Sequence, residues 1–157
     1  MRDDIQFSRD LIKGKIAEVI FEQMFREAGE FTILRLGYEY TTPELAQYQN
    51  LIRIKRVLEN LRHTPDFALI SHDKSRVFIV EVKYRTKPDL VGMKRAAQAA
   101  LKFSDPSCLF VASPDGFHFD YCNNVVNHNG EVNLLKYSWV SKPIQEKYLK
   151  LLLEFER

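Results

Sequence analysis

The segment TPDFALISHDKSRVFIVEVKYR, Thr64 to Arg85, sets Asp66 ahead of one strand-forming run and Glu81 and Lys83 at the far end of another. Buried strands exclude unpaired charge, because desolvating an ion costs several kcal/mol or more. Side chains alternate along a strand, so Val77, Ile79, Glu81 and Lys83 share one face, while Phe78, Val80, Val82 and Tyr84 share the other. If the two runs pair as an antiparallel hairpin, Asp66 lies at the same end as Glu81 and Lys83. Two carboxylates gathered there can share a hard divalent ion, Mg²⁺ or Mn²⁺, through oxygen ligands and waters. Such an ion acts as a Lewis acid on a phosphodiester and lowers the pKa of a bound water to give a hydroxide nucleophile. Lys83 can orient that water or offset charge on the pentavalent phosphorus. The plainer alternative is an exposed Glu81–Lys83 ion pair, with Asp66 a turn carboxylate following Pro65.

The elements that must position these residues follow from periodicity. Ile12, Ile16, Val19, Ile20 and Met24 recur at helical spacing, predicting a helix from Arg9, capped by Ser8 and stopped at Gly29. Phe31 to Tyr38 reads as a first strand. Thr42 and Pro43 open a second helix with Glu44 to Leu61 as its body. Strands follow at Asp66 to Ser71 and Arg76 to Arg85, joined by the polar link HDKS. Lys87-Pro88-Asp89 opens a third helix running to about Lys102, with Met93, Ala97, Ala100 and Leu101 inward. Ser107 to Ser113 is a short buried strand, PDG at 114–116 a turn, and HFDYC an edge strand. Residues 123–140 carry no clear pattern. A final helix spans SKPIQEKYLKLLLEF, with Ile144, Tyr148, Leu151, Leu152 and Phe155 in register. The expected fold class is α/β, a mixed central sheet flanked by helices.

Bulk properties agree with one domain over residues 1–157. The chain of 157 residues is 45% hydrophobic and 28% charged, with no internal repeat or biased tract. No apolar run approaches a membrane span, and MRDDIQFSRD lacks the apolar centre of a signal peptide. Cys108 and Cys122 form no CxxC pair and no metal cluster with the four histidines, as expected of reduced thiols in a cytoplasmic protein. His128, in NHNG, reads as a polar loop residue. Net charge is +2, yet residues 51–95 hold eleven Lys/Arg against five Asp/Glu, leaving the remainder acidic. A basic middle suits a polyanion-binding face, though a solvated helix surface gives the same pattern.

With those residues in place, the chain resembles the PD-(D/E)xK nuclease superfamily, the restriction-endonuclease-like fold. Pro65-Asp66 matches the first half-motif and Glu81-Val82-Lys83 the second. The family core, helix, three strands, helix, strand, is matched over roughly residues 9–113 if the 43–62 helix is an insertion. KGKIAEVIFEQMFREAGEFTILRL is similar to the first helix and strand of archaeal-type Holliday junction resolvases. That likeness assigns Glu18, which sits beside the apolar stripe, as a third acid of the metal site. Gln98, in KRAAQAALKF, takes the place of a polar residue often found on the helix after the ExK strand, where it would hold a water or phosphate near Lys83. Tyr84 either touches substrate or is core.

The resemblance implies a nuclease dependent on Mg²⁺ or Mn²⁺ and acting on nucleic acid, DNA before RNA. Arg53, Lys55, Arg56, Arg62, Arg85, Lys87, Lys94 and Arg95 would contact phosphates, which position a substrate without reading its sequence. No base-reading module is recognisable. The rival reading is an inactive nuclease-fold subunit that binds nucleic acid or serves as a scaffold. A homodimer is expected where two strands are cut, with the C-terminal stripe one candidate for the contact.

Overall fold

The computed structural model describes residues 4–36 and 65–156. The expected helix at 43–62, with Arg53, Lys55, Arg56 and Arg62, lies outside the described residues. Described are α1 (Asp4–Ala28), β1 (Phe31–Arg35), β2 (Phe67–Ser71), β3 (Val77–Tyr84), α2 (Leu90–Phe103), β4 (Ser107–Ser113), β5 (Gly116–Tyr121), α3 (Cys122–Asn127) and α4 (Lys142–Phe155). The strands form one open sheet in the order β1-β2-β3-β4-β5, antiparallel throughout except for the parallel pair β3 and β4. The architecture is α/β, as expected from sequence.

The parallel step follows from chain economy. β2 and β3 are joined by a tight turn and pair as a hairpin, Phe67 opposite Val80 and Ile70 opposite Val77. β3 and β4 are separated by α2, which carries the chain back along one face. β4 is buried along its whole length, as a central strand covered on both sides must be.

Each face of the sheet has its own core. On one, α1 packs Ile20, Phe21, Met24 and Phe25 against Phe67, Phe78, Val80, Val82, Phe110 and Phe119. On the other, Met93, Ala97 and Ala100 of α2 cover Leu109 and Val111 of β4, joined by Cys122 and Val125 of α3.

α1 departs from expectation at its start and on its surface. The helix continues upstream to Asp4, so Ser8 is not a cap. Asp4 in the first turn complements the helix dipole, and Gln6 hydrogen-bonds Asp10 one turn on at 2.9 Å. Gly29 ends the helix as expected, with φ of +75° and its N–H donating back to the Phe25 and Arg26 carbonyls. Ile12 and Val19, placed by spacing in the buried stripe, are nearly 60% exposed. At 100° per residue they fall roughly opposite the Ala17–Phe21–Met24 line that meets the sheet. α4 corrects the expectation in the same way. Leu152 is buried, and Ile144 and Tyr148 pack at the core edge, whereas Leu151 and Phe155 turn outward. They meet Leu11, Ile12 and Val19 in a shallow apolar groove.

Glu22 is a buried charge that sequence reading passed over. It is 3% exposed and accepts from Arg35 Nε at 2.6 Å and from Arg26 Nη2 at 3.1 Å. Burial alone would raise its pKa, but the two guanidinium groups outweigh it and hold the carboxyl below the ordinary range. Arg35→Ala should therefore cost about 1–2 kcal/mol in urea unfolding at pH 7. That is less than a fully buried pair would lose, because Arg35 is half exposed. A neutral result would mean that Arg26 suffices alone.

Both cysteines are free and buried. Burial pushes the Cys122 thiol up to about 11, opposed by the nearby Ser107, and pushes Cys108 higher still. Thiolate is the reactive form. A disulfide reagent at pH 8 should label neither residue in the native chain and both after denaturation. Labelling at native rates would contradict their packing.

Candidate active site

β3 runs past the end of β2. Their last paired residues at this end are Phe67 and Val80, and from Glu81 to Tyr84 β3 pairs only with β4 among the described strands. Asp66 sits where the two strands part. Its backbone still belongs to the sheet, since its N–H donates to the Val80 carbonyl at 3.1 Å and its carbonyl accepts from Leu36 at 2.9 Å. Its side chain then takes over from the strand, Oδ2 accepting the Val82 N–H at 2.8 Å. A carboxylate is thereby fixed against the strand that carries Glu81 and Lys83. Among the described strands, this edge of β3 beyond Val80 has no strand partner, and charge is tolerated there.

Glu81 and Lys83 lie on the α2 face, opposite Leu109 and Val111 of β4, while Val80 and Val82 are buried beneath α1. Lys83 Nζ stands 3.3 Å from Glu81 Oε1, both side chains keeping a fifth to a third of their surface exposed. Glu18 comes from α1, which covers the opposite face, yet it comes within electrostatic reach of Asp66 at the sheet's end. Glu18 also pairs with Lys15 at 3.3 Å.

The three acids form a chain with Asp66 in the middle, Glu18 on one side and Glu81 on the other, each near enough to its neighbour to alter its pKa. Carboxylates crowded in this way hold their protons to higher pH than isolated ones. Burial is the main cause, and it lifts Glu18 to about 7, helped by the charge of Asp66 and opposed by Lys15. Asp66 rises to about 6, through burial and then the Glu81 charge, against the Val82 N–H and Lys83. Glu81 is also raised by burial, with Lys83 pulling it back. Among the described residues no three His, Cys, Asp or Glu side chains surround one point in a ready metal-ligating arrangement. These carboxylates approach one another pairwise. The donor set is nonetheless all oxygen and surplus in negative charge, which suits a hard cation such as Mg²⁺ or Mn²⁺ and no soft one.

The other expected residues divide. Tyr84 packs with the α1-side core, its hydroxyl buried without a hydrogen-bond partner among the described residues, and Lys13 stands 5.3 Å from its ring centre. Of its two readings, core is the one its place matches. Arg85 is held locally, Nη1 on the Tyr84 carbonyl at 2.7 Å and Nε on Asp89 at 3.0 Å. Lys87 is exposed beside it. Lys94, Arg95 and Gln98 line a separate depression on the outer side of α2 with Val91 and Asn129. Gln98 is exposed there, away from the buried Met93–Ala97–Ala100 line.

Sequence reading missed Asp120. This buried carboxylate accepts from Tyr121 N–H, Asn124 Nδ2 and Asn133 Nδ2 at 2.8 to 3.1 Å, fastening α3 and the following loop to β5. Strand alternation placed Asp120 opposite Leu109, a buried position that only a satisfied charge can hold.

No protein-family model and no curated protein matches this chain. Among the described residues no helix is long and apolar enough to cross a membrane.

Proposed function

We propose that this chain is a metal-dependent nuclease hydrolysing phosphodiester bonds of nucleic acid, DNA before RNA, and that it is a PD-(D/E)xK-type fold. One observation carries the reading. Glu18, Asp66 and Glu81, from three separate parts of the chain, come together in a line with Lys83 beside Glu81, where β3 outruns β2 among the described strands. Among the described residues, the order helix, three strands, helix, strand from α1 to β4 supports the same likeness.

Glu18, Asp66 and Glu81 would hold Mg²⁺ or Mn²⁺, which when bound supplies charge neutralisation and Lewis acidity toward the phosphodiester. The Val82 N–H keeps Asp66 fixed against β3. Lys83 donates toward the attacking water or toward a phosphoryl oxygen, offsetting charge that develops there. Among the described residues, the partial exposure of Glu81 and Lys83 gives the phosphodiester an approach from the α2 side.

Cleavage of a panel of linear, circular, nicked, branched and single-stranded DNAs, with matching RNAs, should require Mg²⁺ or Mn²⁺ and stop on chelation. It should disappear in Glu81→Ala and Lys83→Ala. Equal cutting by both variants, free of host nucleases, would sink the reading. The inactive-subunit reading has its own support in the pairwise spacing of the acids. Calorimetry with Mn²⁺ separates the two, since the wild type takes up the ion only if the acids can open around it. The expected pairing of two copies is read by light scattering, as twice the chain mass at working concentration.

A further inference from the structure

A cavity of about 400 Å³ opens at the carboxyl ends of the parallel pair β3 and β4, one strand over from Lys83. Sheet register fixes its place. Lys83 is opposite Val111, and Val111 is opposite His118, all three on the α2 face. Val111 and His118 both line the cavity, so its floor begins about 4.8 Å, one inter-strand spacing, from the Lys83 backbone. Open α/β sheets place ligands in this position, beyond the carboxyl ends of parallel strands.

The walls are mainly apolar, with Leu90 and Met93 of α2 on one side and Val132 on the other. Gly130 lets that second wall close. It has φ of +98°, and a Cβ added there would stand 1.9 Å from the Leu90 carbonyl oxygen. No other residue allows the 129–133 loop to lie so near the first turn of α2. Polar groups are few. His118 Nδ1 donates to the Val132 carbonyl at 3.0 Å, since a carbonyl only accepts. Asp115 and Glu131 supply acceptors at the rim. Arg85, fixed by Asp89 and the Tyr84 carbonyl, stands with Lys87 at the Lys83 side.

We propose that this cavity takes the nucleoside of a nucleotide adjoining the scissile phosphate, its ring between the apolar walls and its phosphate toward Arg85 and Lys87. The inference rests on the nuclease reading and adds a substrate class to it. Small-ligand pockets begin near roughly 300 Å³, and a space of this size admits one base and its sugar but no stacked pair. The base must therefore leave its stack, so the substrate carries an unpaired or extruded nucleotide next to the cut.

The test uses the full chain, labelled for amide NMR, titrated with 5′-deoxynucleoside monophosphates and separately with orthophosphate. Nucleotides should shift the Thr86, Leu90, Gly130 and Val132 amides, and orthophosphate alone should not reproduce the pattern. Leu90→Trp, at a half-exposed position that tolerates bulk, should weaken nucleotide binding at least about tenfold. Shifts elsewhere, the same pattern from orthophosphate, or affinity within twofold in Leu90→Trp would overturn the assignment, whether or not the chain cuts nucleic acid. Cavity shifts in a chain that cuts nothing would instead uphold the nucleoside site and remove the nuclease reading.

Discussion

Asp66→Asn is expected to lower cleavage by about a thousandfold or more in kcat/KM and, in the same protein, to raise the melting temperature at pH 8. The amide retains an oxygen for the Val82 N–H, now 2.8 Å from Oδ2, so the strand junction survives. What it removes is the central negative charge between Glu18 and Glu81. The stability change follows from linkage. Asp66 has its pKa raised by burial and by the Glu81 charge from 3.8 to about 6, and Glu18 is raised by burial and by Asp66 from 4.5 to about 7. Groups displaced upward stabilise the fold fully below their unfolded values, and that contribution is lost as pH rises through the folded ones. The cluster is thus least favourable above pH 7. The displacement of Asp66 corresponds to an upper bound of roughly 3 kcal/mol, and coupling to its neighbours and partial exposure reduce it to about 1–2 kcal/mol. Thermal unfolding in chelator should show a gain of a few degrees at pH 8 that vanishes near pH 4. Unchanged cleavage would remove Asp66 from the chemistry. A gain equal at both pH values would show that the ionised cluster is not the cause.

Legibility in the sequence varied with the kind of information each residue carried. The hairpin and its charges were readable because strand alternation is strict: one register decides the face of Glu81, Lys83 and all their neighbours. β4 was readable because an unbroken apolar run between Ser107 and Ser113 has few other uses. The buried face of α1 was not. Ile12, Val19, Ile20 and Met24 all satisfy helical spacing, but two apolar lines run along this helix and only the tertiary partner selects between them. Residues 123–140 hid for another reason. Their order comes from Asp120, from the His118–Leu134 bridge and from burial of Leu135 and Val140, all contacts distant in sequence or lacking a local period. The basic face was legible only as composition. Among its described members, Arg85 and Lys87 stand at one cavity while Lys94 and Arg95 stand at another depression. A charge excess along the chain does not fix a common surface.

Phe21→Ala should be the most damaging single core change, costing about 3–5 kcal/mol and lowering the melting temperature by roughly 6–20 °C. Phe21 is fully buried where α1 meets the sheet, with ring centres 4.5 Å from Phe25, 4.9 Å from Phe67 and 5.0 Å from Phe110. Deleting it loses the transfer energy of the ring and leaves a void flanked by three aromatic side chains too constrained to fill it. Phe21→Leu keeps most of the volume and should cost only about 1–1.5 kcal/mol. The pair also tests how the site is positioned. Glu18 lies one helical turn before Phe21, and its meeting with Asp66 depends on α1 being seated on β2 and β3. In Phe21→Leu, carboxyl titration by NMR should still find Glu18 raised, to about 7. If Phe21→Ala lost less than about 1 kcal/mol, the aromatic cluster would not be what seats α1. The approach of Glu18 to the hairpin acids would then need a cause elsewhere along the helix.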